Sequence, residues 1–251
     1  NLERTLKQRM EILDIAEYAD YLKLLNSCSS VCDELASLID ILTVGETSLF
    51  RYEAHDKALV KSVLPEIIQR KSRERSLKIW SAGCATGEEP YTLALLIKKH
   101  FPQLLEWDLR ILATDINRRF LRQATVGWFS ERSMRAVPQD LCEKFFTCKQ
   151  GGYSLTKEIR DMVSFEYLNL HNGQSPGEKE MPVGADVILC RNVLIYFDAV
   201  TRKKTLTRLI NNLHPEGYMF FGHTEMMQNV SNRLQTEQQG RAFYYRLQAL
   251  I

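Results

Sequence analysis

From Leu2 to Leu42 apolar side chains recur every three or four positions, first Leu6, Met10, Leu13 and Ile15, then Tyr21, Leu24 and Leu25, then Leu35, Leu38, Ile39 and Leu42. Polar residues interrupt the pattern near Asn26 to Ser30. That period places an apolar stripe on each of a few short helices, so 1–42 reads as a small N-terminal helical domain. The chain enters this pattern directly from Asn1, and residues are expected to be missing from its front. The helical period returns over 54–71 through Leu59, Val63 and Ile67, with Pro65 expected to kink or break the helix because it lacks an N–H and crowds the preceding turn.

At Leu77 the pattern changes to strands alternating with helices, which argues for a parallel sheet covered on both faces. Strands are predicted at 77–82 and 109–114 and helices at about 88–100 and 117–124. The alternation then lapses. Three short runs at 144–149, 153–156 and 162–167, separated by QGG and EIRD, read as an antiparallel β-subdomain inserted at about 128–167, its last run leading into the third main strand. The alternation resumes with DVILC at 186–190, a helix at 198–212, the turn HPEG, a strand at 218–222, and a closing hairpin of 234–237 and 242–247 around QQG. A terminal hairpin on an otherwise parallel sheet is similar to the Rossmann-like, seven-stranded α/β fold of class I S-adenosylmethionine (SAM) methyltransferases. The main domain would then occupy 77–251.

Composition narrows the partners. The 251 residues are 45% hydrophobic, enough for one large domain, and the net charge of +2 does not suggest a protein that tracks nucleic acid. Arg70, Lys71, Arg73, Arg75 and Lys78 form a local basic cluster, read either as a solvated helix end or as a docking surface for something acidic. The six cysteines show no CxxC pair and no Cys/His spacing suited to a metal, which fits free thiols in a reducing, cytoplasmic setting. No apolar run approaches the roughly 20 residues of a membrane span, so no membrane insertion is expected.

The decisive stretch is WSAGCATGEEPYTLALL, beginning at Trp80. The first strand-to-helix turn of an open parallel sheet faces its ligand crevice, and Gly83 and Gly87 occupy that turn. Their G-x-x-x-G spacing is neither the dinucleotide fingerprint nor a phosphate loop, and no lysine follows. Glu88 and Glu89 oppose a phosphate at this helix start, since like charges a few ångströms apart cost on the order of a kcal/mol or more. A cationic or neutral ligand fits better, and SAM carries a sulfonium, an ammonium and no phosphate. Thr86 and Glu89 could also form a capping box with Pro90 in the first turn. Asp115, at the end of the second strand, is placed to accept both ribose hydroxyls of a nucleoside, or else to cap the helix near Asn117. Arg191 and Asn192 directly follow the apolar run DVILC and so stand at the ligand-binding edge of the sheet.

Four segments carry a resemblance: TVGETSLFR at 43–51, WSAGCATGEEPYTLA at 80–94, CRNVLIYFD at 190–198 and HPEGYMFFGHTE at 214–225. Together they resemble the chemotaxis receptor (MCP) glutamate O-methyltransferases, the CheR family, from about residue 5 onward. The resemblance implies that 43–76 is a linker and helix covering the cofactor, with Thr47 and Arg51 contacting it. Gly83 would contact it through the backbone, with Glu89 beside it, Asp115 on the ribose, Asn169 and Leu170 near the adenine, and Arg191 and Asn192 lining the same pocket. Tyr196 falls where the family has a tyrosine facing the transferred methyl, so Arg51 and Tyr196 are the candidate catalytic pair. Gly45 departs from the family's usual asparagine, leaving one contact missing or replaced.

The implied reaction moves a methyl from SAM to glutamate side chains on the cytoplasmic helical region of chemoreceptors, giving S-adenosylhomocysteine and no role for a metal. A monomer is expected. The inserted β-subdomain is a candidate receptor contact, although the short KQGG loop argues against docking of a receptor tail peptide. The alternative is a catalytically idle SAM-binding module that recognises receptors. A base-modifying methyltransferase is disfavoured by CRN standing where [ND]-P-P-[YF] would be, and a dehydrogenase by the glycine spacing.

Overall fold

The computed structural model describes residues 2–27, 33–149, 151–172, 176, 184–225 and 231–248. Its strands are β1 (Ser76–Ala82), β2 (Asp108–Asp115), β3 (Trp128–Ser130), β4 (Phe146–Lys149), β5 (Gly152–Leu155), β6 (Val163–Tyr167), β7 (Ala185–Cys190), β8 (Leu213–Phe221), β9 (Leu234–Gln239) and β10 (Ala242–Leu247). Seven of them form one sheet in the order β6-β2-β1-β7-β8-β10-β9. β6 through β8 run parallel, while β10 pairs antiparallel with β8 and β9. This is the class I SAM methyltransferase fold.

Two details differ from the periodicity reading. The run at 162–167 is not part of the inserted patch: as β6 it pairs in parallel with β2, Ile111 opposite Val163 and Asp115 opposite Tyr167. The separate three-stranded sheet is completed instead by Trp128–Ser130, in the order β3-β5-β4. The HPEG turn is absorbed into β8, with a register irregularity against β7 and Glu216 at a φ of +60°.

The helices are α1 (Leu2–Ile12), α2 (Tyr18–Ser27), α3 (Asp33–Leu42), α4 (Glu53–Ala58), α5 (Leu64–Arg70), α6 (Glu88–His100), α7 (Arg118–Val126), α8 (Glu131–Met134), α9 (Gln139–Phe145), α10 (Lys157–Arg160) and α11 (Ala199–Asn211). Most of the predicted polar break at 26–30, with Cys28 and Cys32, lies outside the described residues. Glu34 on α3 accepts from Arg9 on α1 and Tyr21 on α2, which ties the three N-terminal helices together. Asn117 then reaches from the sheet's edge to Asp40 and Thr43, donating to the Asp40 carbonyl at 3.2 Å and the Thr43 hydroxyl at 2.7 Å.

Pro65 neither breaks nor ends its helix. α4 and α5 are joined by a π-helical stretch, Leu59–Val63, in which the Leu64 N–H reaches back to the Leu59 carbonyl. Widening the coil before the proline accommodates a ring and a missing donor that a regular α-turn would not.

Strand alternation divides the interior. Leu77, Ile79, Ile111, Val187 and Phe220 face one layer with Leu59, Leu64 and Tyr91 of the covering helices. Trp80, Leu112, Ile188 and Met219 face the other, against Leu206, Leu209 and Ile210 of α11. The N-terminal end of the sheet is closed by an ion pair: Lys71 donates to both Asp186 oxygens at 3.0 and 3.1 Å, and the Lys78 N–H donates to Asp186 at 2.9 Å. The basic cluster is therefore divided, with Arg73 and Arg75 exposed and the rest drawn inward. Lys71 and Lys78 are buried, Arg75 pairs with Glu106, and Arg70 donates to the Glu216 carbonyl.

Candidate active site

The loop between β1 and α6 has three residues at positive φ, Gly83 at +86°, Ala85 at +47° and Gly87 at +94°. A Cβ on Gly83 would lie 2.3 Å from Val193 Cγ2, so both backbone angle and space demand glycine there. The Gly83 and Cys84 N–H groups both donate to the Thr114 carbonyl, at 2.8 and 3.0 Å. Asp115 fixes the loop from β2, accepting from the Ala85 N–H on one oxygen and the Asn117 N–H on the other, each at 2.8 Å. The cap of α7 is Asn117, whose side chain accepts from the Phe120 N–H, and not Asp115. Burial pushes the Asp115 carboxyl above its ordinary pKa, against the pull of its backbone donors.

The capping box is absent. Gly87 occupies the cap position of α6 without a side-chain bond, and Thr86 donates to Glu88. Glu89 instead accepts from Ser81 and from Arg191 Nε, each at 2.6 Å. A charge-assisted bond to a buried guanidinium is a stronger partner than a backbone N–H.

Arg191 follows β7 at the point where strand order reverses beside β1, the expected ligand crevice of such a sheet. Seven of the candidate residues, Thr47, Arg51, Gly83, Glu89, Arg191, Asn192 and Tyr196, line one cavity there of about 230 Å³. Arg191 is only 8% exposed, and its guanidinium lies 4.2 Å over the Tyr52 ring. Its Nη1 is buried with no hydrogen-bond partner among the described residues. Asp56, 6% exposed, also lines the cavity and leaves Oδ2 equally without a partner. Burial raises the Asp56 carboxyl to about 6, with Arg191 pulling the other way. Its neighbour His55 is held neutral, pushed down to about 3 by burial and by Arg191.

The wall opposite α6 is organised by Glu225. This buried carboxylate accepts from the N–H groups of Asn192 at 2.6 Å, Gly222 at 2.9 Å and Ile195 at 3.2 Å. Asn192 is thereby held at a φ of +61°, and its side chain accepts from the Tyr52 hydroxyl. Tyr196 ends the short turn that follows and is 62% exposed at the cavity mouth. Across from it the segment 43–52 is pinned by buried Leu49, whose N–H donates to the Ser133 carbonyl at 3.0 Å, and by the Phe50 N–H on Thr92 at 3.0 Å. Arg51 is exposed and donates to the Glu46 carbonyl.

Asn169 and Leu170 do not line the cavity. They follow β6, where Asn169 accepts from the His171 N–H and Leu170 packs inward with its carbonyl taken by Thr205. The Phe120 ring takes the place of a side chain at Gly45, where a Cβ would lie 2.5 Å from it. Tyr52, Asp56 and Glu225 join the site without having been singled out. Glu225 closes the HTE string and was findable there; Tyr52 and Asp56 look like ordinary polar positions of a helix start. Among the described residues no group of His, Cys, Asp and Glu is arranged to hold a metal, and no helix is long and apolar enough to cross a membrane.

Residues 45–243 match the family model described as CheR methyltransferase, SAM binding domain. The chain belongs to the CheR methyltransferase family. It is 36% identical over 232 residues to chemotaxis protein methyltransferase 2 of Vibrio cholerae, covering 92% of this chain and 79% of that protein. It is 34% identical to chemotaxis protein methyltransferase 1 of Pseudomonas aeruginosa over 83% of this chain and 76% of that one. Among solved structures it resembles a TehB-like SAM-dependent methyltransferase from Corynebacterium glutamicum, at 15% identity and a TM-score of 0.40 over 72% of this chain and 84% of that one. As a CheR member it is a SAM-dependent methyltransferase of the chemotaxis type. The residues suit that donor: Glu89 and Asp56 bring carboxylates to the cavity, Gly83 lines it, and Arg191 Nη1 has no hydrogen-bond partner among the described residues.

Proposed function

We propose that this protein methylates glutamate side chains on the cytoplasmic helical region of chemoreceptors, yielding glutamyl methyl esters and S-adenosylhomocysteine. The observation that carries the reading is the meeting of the Gly83 loop, Arg191, Asn192 and Tyr196 around one cavity that opens to solvent at Tyr196. Bound SAM supplies an electrophilic methyl on a sulfonium, and its transfer to an ionised carboxylate leaves a neutral ester and a neutral thioether.

The protein's own residues then have limited tasks. Asp115, whose carboxylate is oriented by backbone donors from Ala85, Ile116 and Asn117, accepts from the ribose hydroxyls, while Gly83 offers its backbone carbonyl side and Thr47 a hydroxyl to the same ligand. Asn169 and Leu170, at the end of β6 beside Asp115, flank the adenine side. Glu89 orients Arg191 through their ion pair, and Arg191 and Asn192 close the floor. A glutamate with a free pKa near 4.3 arrives ionised at neutral pH, so the reaction as written calls for neither a general base nor a metal. Arg51 and Tyr196 at the mouth hold that carboxylate in line and replace its water, which favours a step in which opposite charges cancel. The rim adds apolar contact through Val44, Ile195 and Tyr196, all exposed, suited to an amphipathic receptor helix whose acidic groups face Arg51. The protein acts in the cytoplasm as a monomer.

Incubation with methyl-labelled SAM and receptor fragments, followed by alkali, tests this. Esters release labelled methanol; label that stays on the protein after alkali would reject the carboxylate acceptor.

A further inference from the structure

The cavity floor holds two buried groups of opposite charge that do not satisfy one another. Among the described residues Arg191 Nη1 is a donor without an acceptor and Asp56 Oδ2 an acceptor without a donor, each on a residue more than nine-tenths buried. Burying an unpaired polar atom costs free energy, and burying an unpaired charge costs more, so such atoms mark where a ligand completes the structure. The other acidic residues lining the cavity are already committed. Glu89 uses one oxygen for Ser81 and the other for Arg191, while Glu46 points to the surface and pairs with Arg132.

We propose that Asp56 is the residue that selects the methyl donor by its amino-acid arm, its free oxygen receiving the α-ammonium while Arg191 Nη1 receives the α-carboxylate. The inference rests on the donor assignment made above and adds the residue that reads one end of that donor. A zwitterion is the ligand class that fits an unmatched anion and an unmatched cation set in one small cavity. The charged groups facing Asp56 are Arg191 from the end of β7, Glu89 from α6, and Glu53 on its own helix; the adjacent His55 is neutral. Glu89 and Glu53 add to the burial that raises the carboxyl to about 6, and an incoming ammonium acts in the opposite sense. Donor binding near pH 6 therefore expels a proton from Asp56.

The test compares S-adenosylhomocysteine with 5′-methylthioadenosine, which shares the nucleoside and thioether but lacks the amino-acid arm. Calorimetry of the unmodified protein at pH 6, in two buffers of different ionisation heat, should show about half a proton released with the first ligand and none with the second. The shared nucleoside cancels any contribution from Asp115. Asp56→Asn should weaken S-adenosylhomocysteine about tenfold or more and 5′-methylthioadenosine less than about twofold, with the melting temperature reporting that the variant is folded. Equal weakening of both ligands, or equal proton release with both, would overturn the role of Asp56 while leaving the donor assignment intact. Failure of the unmodified protein to bind either ligand would overturn both.

Discussion

The two ends of the main sheet handle buried charge in opposite ways. At the N-terminal ends of the strands Lys71 and Asp186 meet at 3.0 Å, and a backbone N–H from Lys78 completes the carboxylate. At the C-terminal ends Arg191 and Asp56 are also buried, yet each keeps an atom without a partner among the described residues. The first arrangement locks α5 to β1 and β7 and has nothing left to offer a ligand. The second stores a demand for polar partners. Stability and binding are thus drawn from different ends of the same strands, and a substitution at one end should separate from one at the other by which property it moves.

The largest effect belongs to the closed end. Asp186→Ala leaves Lys71 with the exposed Glu74 at 3.5 Å and should cost about 3 kcal/mol, read from denaturant midpoints, with S-adenosylhomocysteine affinity of the remaining native fraction unchanged. At the open end the sign reverses. Folding raises the Asp56 pKa from 3.8 to about 6, so above pH 6 the residue is ionised in both states and the native state alone bears the cost of burial. At 1.36 kcal/mol per unit this is on the order of 3 kcal/mol, relieved as pH falls from 6 toward 3.8. Asp56→Asn should therefore raise the melting temperature of the ligand-free protein at pH 7.5, and the gain should fade by pH 4. A variant less stable than the parent at pH 7.5 would erase the contrast between the two ends. The smallest effect sharpens it: Glu225 is a fully satisfied carboxylate at the open end, and Glu225→Gln should cost about 1–3 kcal/mol by placing an amide against backbone donors. Both stability and donor affinity should fall, because Glu225 frames Asn192 and the Tyr196 turn.

The sequence carried more of the frame than of these charges. The glycines at 83 and 87 were legible because a tight strand-to-helix turn has local requirements, and both stand at positive φ. What Glu89 binds was not legible: its partner Arg191 lies 102 residues away, so local spacing suggested a capping box that does not form. The run at 162–167 shows the same limit for strands. Its composition says β, but whether it joins the inserted sheet or the main one depends on β2, nearly fifty residues earlier. Lys71 looked like surface charge because its acid, Asp186, belongs to a strand more than a hundred residues further on. Tyr52 and Asp56 carried no signal, since only the packing of their helix against β10, far along the chain, turns them inward.

That helix touches both ends, with Asp56 near its head and Lys71 just past its foot. A regular α-helix turns about 100° per residue, which would rigidly dictate how the two side chains are clocked about the axis. The wide π turn at Leu59–Val63 takes up an additional residue between them. It works as a gearing between the anchor and the recognition group, and a chain with one residue fewer there would have to choose between seating its lysine and aiming its aspartate.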